Sequence, residues 1–134
     1  MRDAGLDRRA IYVTNAVKHF KFVVRGKRRL HQKPNTIEIN ACRSWLRREI
    51  ALVQPQTVVA LGATAARALS GRDLRIGASR GRYLTLDSGI ALRVTVHPSY
   101  LLRLPDEAAR EAEYRAFVAD LEQVAALAPL AAGE

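Results

Sequence analysis

The sequence predicts an α/β domain with a largely parallel sheet. Three observations carry this expectation. The runs "AIYVTNAV" (10–17) and "TVVALG" (57–62) are apolar and rich in β-branched residues, with the length of buried strands. Between them Ile39, Cys42, Leu46 and Ile50 recur at helical spacing, which gives that segment one core face. Strands that alternate with helices favour parallel pairing, because a parallel connection needs a crossover of helix length.

The elements follow in order. Residues 2–9 read as the end of a short helix, and 10–17 as the first strand, with Asn15 near its end. Residues 18–36 read as one long basic loop. A structureless loop of more than about fifteen residues in a compact domain is usually functional. Thr36 is the expected N-cap of the next helix, with Glu38 in its first turn and Pro55 as its stop. "TVVALG" is the second strand, and "ATAARALSG" (63–71) a short helix closed by Gly71. "GRYLTLDSGIALRVTVHP" (81–98) reads as two strands joined at Asp87-Ser88-Gly89. Pro105-Asp106-Glu107 opens a last helix that ends near Pro129. Residues 1–128 are expected to form a single domain and 129–134 a frayed tail.

Composition narrows the class of partner. With 134 residues, 49% of them apolar, the chain can build a core. The net charge of +9 favours a polyanionic partner, with nucleic acid the default. The charge is segregated. Lys18 to Lys33 holds seven cations and no acid, whereas Asp106 to the end holds seven acids and two arginines. The lone cysteine, Cys42, precludes an internal disulfide and suits a reducing compartment. No apolar run reaches the roughly 18 residues of a membrane span, and "MRDAGLDRRA" lacks a signal-peptide core. A cytoplasmic monomer without a membrane partner is the expectation.

Ligands of α/β sheets gather at the carboxyl ends of strands, and three polar groups fall there. His97, in "TVHPSYLLR", is biased to extended backbone by Pro98. It reads either as a donor that stabilises charge on a leaving group or as a structural histidine. Gly62-Ala63-Thr64 reads either as a phosphate-binding turn or as an ordinary turn capped by Thr64. Asn15 offers a donor and an acceptor that suit a pyrimidine edge, or is a turn residue. Cys42 is either a buried, inert thiol or a metal ligand with His19 as a second. His31 stands among Lys27, Arg28, Arg29 and Lys33. Like charges disfavour the imidazolium, so a neutral, nucleophilic ring is expected. The alternative is a basic loop whose histidine contacts phosphate.

Taken together, "YVTNAVKHFKF", "KRRLHQKP", "ACRSWLRREI", "VVALGATAARAL" and "VTVHPSYLLR" resemble the uracil-DNA glycosylase superfamily, in particular its iron–sulfur, family 4-like branch and, within that, UdgX. The resemblance covers about residues 5–125. It implies a three-layer αβα fold around a mainly parallel sheet. It assigns Asn15 and Ser99 to uracil and substrate, and His97 to uracil O2. Lys27, Arg28, Arg29, Gly62, Ala63, Thr64 and Arg103 fall to DNA. Cys42 and His19 fall to a [4Fe–4S] cluster. His31 matches the histidine that attacks the sugar C1′ after uracil leaves and so joins protein to DNA. The implied partner is uracil-containing DNA, with the single-stranded form a candidate. The family's upstream Gly-Glu-x-Pro-Gly-type motif and two further cluster cysteines have no counterpart here, so an N-terminally truncated form of the domain is expected. A remnant that binds DNA without catalysis is the alternative. A basic ribosome-associated protein is weaker, because it leaves Gly-Ala-Thr and His-Pro-Ser unexplained.

Overall fold

A computed structural model describes residues 1–18 and 21–127. His19, Phe20 and residues 128–134 lie outside the described residues, and with them the expected frayed tail and the end of the last helix. Ten helices and strands set the frame. A hairpin of β1 (Phe22–Arg25) and β2 (Arg28–His31) precedes α1 (Thr36–Val53), β3 (Thr57–Leu61) and α2 (Ala63–Ser70). Then come α3 (Ile76–Ser79), β4 (Leu84–Thr85), β5 (Ala91–Thr95), α4 (Pro98–Arg103) and α5 (Glu107–Leu127).

β5 is the centre of a three-stranded sheet in the order β3-β5-β4. β3 runs parallel to it, from Thr57↔Ala91 to Leu61↔Thr95, and β4 antiparallel, Leu84↔Leu92 and Thr85↔Ala91. The sheet is therefore mixed. The parallel pair spans a helical crossover, and the antiparallel pair is the expected hairpin through Asp87-Ser88-Gly89.

Alternation along β5 builds two helical layers. Leu92 and Val94 point to one face and form a buried cluster with Ala60 and with Ala66 of α2. Burying each of those two side chains is worth roughly 1.5–3 kcal/mol. Thr95 points to the other face, where its hydroxyl meets Asp120 of α5. Helices on both faces of the sheet give the three-layer arrangement. A second cluster, Ile39, Leu46 and Ala68, joins α1 to α2. The periodic residues Ile39, Cys42 and Leu46 are buried as their spacing predicts.

Several local expectations are corrected. Residues 2–9 form two 3-10 turns, Arg2–Ala4 and Arg8–Ala10, where a helix end was expected. Residues 10–17 are not a strand: Tyr12 and Val13 are exposed, and the segment lies along α1 without a sheet partner among the described residues. Its ties are specific. Ala16 and Val17 pack on the α1–α2 cluster, Tyr12 donates to Glu49 at 3.1 Å, and Lys18 pairs with the same carboxylate. β-branched composition favours a pleated backbone, but a strand exists only where another strand accepts its hydrogen bonds. The long basic loop is largely ordered as the β1–β2 hairpin. The N-cap of α1 is Asn35 and not Thr36, and it forms a reciprocal capping box with Glu38.

Candidate functional site

The carboxyl ends of β3 and β5 are neighbours because the strands are parallel and in register to Leu61↔Thr95. Each strand delivers its next residues to the same edge. After β3, Gly62 takes φ 91 and ψ 173, a backbone conformation essentially reserved for glycine. Its N–H donates to the Thr95 carbonyl at 2.9 Å. A Cβ on Gly62 would stand 3.2 Å from Cβ of His97, so the absence of a side chain is what admits His97. The sequence-expected pair, the Gly-Ala-Thr turn and the His-Pro-Ser turn, is thus brought into contact.

His97 is the N-cap of α4, with Pro98 at the first helical position. The Ser99 N–H donates to His97 Nδ1 at 3.1 Å, and Ser99 Oγ lies 2.8 Å from the same nitrogen. A backbone N–H can only donate, so Nδ1 is an acceptor. In the neutral ring the proton therefore sits on Nε2. The cap meets the structural reading of His97, and the same geometry is compatible with the donor role. The cap uses one ring nitrogen and orients the other as a donor. His97 and Ser99 are exposed, within reach of a ligand.

The phosphate-turn expectation changes in detail. Thr64 is not the cap of α2. Gly62 holds that position without a side-chain bond, and its amide is engaged by Thr95. Helix geometry leaves the amides of Ala63, Thr64 and Ala65 without an intrahelical acceptor. Ser99 to Arg103 follow Pro98 in α4, with Arg103 in its last turn.

Asn15 is not brought to this edge by any hydrogen bond or ion pair among the described residues. It sits in the extended segment along α1, and its carbonyl accepts from Lys18 Nζ at 2.5 Å. Cys42 is buried on α1 and accepts the Lys18 N–H at Sγ, 3.4 Å. His19, its expected co-ligand, lies outside the described residues. Among the described residues no three of His, Cys, Asp and Glu gather closely enough to hold a metal ion. One buried thiol does not fit a [4Fe–4S] cluster, and nothing in the chemistry below runs through one.

His31 ends β2 and pairs across the hairpin with Phe22. Residues directly opposite share a face, so His31, Phe22, Val24 and Arg29 line one side, and Val23, Leu30, Arg25 and Arg28 the other. The Arg29 guanidinium lies over the Phe22 ring at 4.9 Å. Gly26 opens the tight turn with φ 61, and Lys27 completes it. Both strands are exposed along their whole length. At the base, Lys21 pairs with Glu38 of α1 at 3.0 Å, and the Gln32 N–H donates to the Lys21 carbonyl at 2.8 Å. Lys27, Arg28, Arg29 and His31 thus ride on one projecting element.

Sequence reasoning missed Thr95, Asp120 and Arg80, which lie beneath this edge. Thr95 had only its β-branched shape to show. Glu113 and Asp120 are seven residues apart, on one helical face, a spacing that could have marked them as a pair facing inward. A groove of about 620 Å³, lined by Arg43, Arg47, Leu69 and Asp87 among others, lies by the amino ends of β3 and β5, away from these residues.

Comparison with known proteins bears on this geometry. The family model described as the uracil DNA glycosylase superfamily matches residues 1–122. A type-4 uracil-DNA glycosylase of Thermotoga maritima is 33% identical over 104 residues, which are 77% of this chain and 50% of that protein. A type-5 uracil-DNA glycosylase of Pyrobaculum aerophilum is 36% identical over 105 residues, 75% of this chain and 41% of that protein. The type-4 enzyme of the same organism is 29% identical over 108 residues, 75% and 52% of the two chains. The chain spans about half the length of the curated relatives it matches.

Proposed function

The chain belongs to the uracil DNA glycosylase superfamily, and from that premise we propose that it excises uracil from DNA and captures the sugar covalently through His31. The observation that carries the excision is the contact of Gly62 with His97 at the paired strand ends, where His97 holds an Nε2–H donor aimed away from its own cap. The relatives' names give the substrate class, and their type-4 and type-5 assignments fit the family 4-like branch. In this reading uracil-containing DNA, single-stranded DNA included, is bound by a monomer.

The nucleotide leaves the base stack. The bond between C1′ and uracil N1 breaks, and its electron pair leaves with uracil. His97 Nε2–H donates to O2, where the negative charge gathers. C1′ is left electron-poor. An imidazole nitrogen of His31 forms the new C1′–N bond ahead of water, because a group fixed beside the sugar acts at high effective concentration. Uracil takes a proton from solvent, and the alkylated His31 ring gives its remaining N–H proton back to solvent. Lys27, Arg28, Arg29 and Arg103 supply charge for the backbone, while Asn15 and Ser99 are assigned to the base.

A non-catalytic DNA-binding module is the second reading, favoured by the lack, among the described residues, of any hydrogen bond or ion pair between Asn15 and the His97 edge. A denaturing gel separates the two. The protein is incubated with a uracil-containing single-stranded oligonucleotide beside His31→Ala. A shifted band in the parent and none in the variant is the expected result. Excision with no shifted band would retain the glycosylase and reject capture. Binding without excision would leave the module.

A further inference from the structure

Thr95 is 1% exposed although it carries a hydroxyl. It is the last residue of β5, two before His97. Its Oγ1 donates to Asp120 Oδ2 on α5 at 2.6 Å. The same oxygen accepts from Arg80 Nε at 2.6 Å, and Arg80 NH1 donates to Glu113 Oε2 at 2.9 Å. The Thr95 carbonyl takes the Gly62 N–H, and Gly62 backs onto His97. One residue is therefore tied through its side chain to the α5 layer and through its backbone to the turn that touches His97.

Valine would fill the same space without a buried hydroxyl. A partly buried ionic network is a weak source of stability, because desolvation offsets its attraction. What it does supply is direction: a threonine bonded on both sides cannot rotate or lift the strand end it terminates. An imidazole that donates to a leaving group must be held to within about 0.5 Å, and residues beneath the site do that work.

We propose that Thr95 is a positioning residue for His97, and that Asp120, oriented by Arg80, fixes Thr95. The proposal rests on the reading of His97 as the donor to departing uracil. The role is conformational and involves no transfer of a proton or electron along the chain of bonds.

The test compares Thr95→Val, which keeps the shape and removes the hydroxyl, with Thr95→Ser, which restores it. Two quantities are read: steady-state excision of uracil from an oligonucleotide, and the imidazole ¹⁵N signals of His97, which need no activity. Thr95→Val is expected to lower kcat by about ten- to a hundredfold with KM changed by less than about twofold. Its His97 signals shift, and Thr95→Ser recovers both. Asp120→Asn, which keeps the volume, serves if Thr95→Val does not fold, with the same direction expected. Unchanged His97 signals in folded Thr95→Val overturn the proposal, as does a rise in KM at constant kcat. If the parent excises nothing, that counts against the uracil reading alone, and the His97 signals still decide the positioning role.

Discussion

His97 serves two purposes with one ring. Its Nδ1 caps α4 and its Nε2 is the proposed donor. His97→Ala removes both, and His97→Asn keeps an acceptor for the Ser99 N–H. The expected outcome is that His97→Ala loses about 1 kcal/mol in thermal unfolding and most of the excision rate, whereas His97→Asn regains the stability without the rate. Gly62 makes a sharper case. An alanine there meets φ 91 and a Cβ neighbour at 3.2 Å. Backbone strain of this kind costs about 1–3 kcal/mol, so Gly62→Ala should lower the unfolding midpoint and weaken excision together. Both residues were legible in the sequence as strand-end motifs. Their contact was not, because it depends on the register between strands some 35 positions apart in the chain.

At the scale of elements, the β1–β2 hairpin exposes apolar residues on both faces: Phe22, Val23, Val24 and Leu30 all face solvent. A two-stranded hairpin is marginal by itself, so its attachment matters. Glu38 provides it. Its carboxylate is held below the usual glutamate range by the Asn35 N–H and then by Lys21. Glu49, which ties the 10–17 segment to α1, is lowered by Lys18 first and Thr14 next. A depressed folded-state value stabilises the fold above the unfolded value, about 4.3, and this is lost as pH falls through the folded value. Thermal midpoints should thus be flat near neutrality and fall on acidification, and Glu38→Gln should reduce that acid slope. Asn35→Ala removes the cap itself and should cost about 0.5–2 kcal/mol at neutral pH, read by denaturant unfolding.

Across the whole molecule, charge is divided between elements as it is along the chain. Arg25, Lys27, Arg28 and Arg29 ride on the exposed hairpin, while Glu113 and Asp120 of α5 turn inward to Arg80. With a net charge of +9, the proposed DNA binding is expected to be steeply salt-dependent. Each phosphate contact contributes about 0.7 to the slope of log K against log salt on a single strand, so replacing Lys27, Arg28 and Arg29 by alanine should reduce that slope by about 2. Fluorescence anisotropy with a labelled oligonucleotide across a salt series reads it directly. His31→Ala should leave that slope within error, since its part lies after binding. No described helix is long and apolar enough to cross a membrane.

The sequence by itself determined α1, β3, α2, the β4–β5 hairpin and the start of α5. Apolar spacing chose the buried face of α1, and turn residues set the ends of α2 and the β4–β5 hairpin. It also determined which residue types reach the strand ends, since Gly-Ala-Thr and His-Pro-Ser each follow a β-branched run. Tertiary structure decided the rest. Residues 10–17 have strand composition but lie along α1, because hydrogen-bond partners and not propensity make a strand. The basic stretch is a hairpin because a glycine at positive φ lets the apolar run 22–24 fold back on the basic run 28–31. Thr95 and Asp120 acquired their relation only when α5 closed over the sheet, since a hydrogen bond between residues 25 positions apart exists in space before it has any signature in the chain.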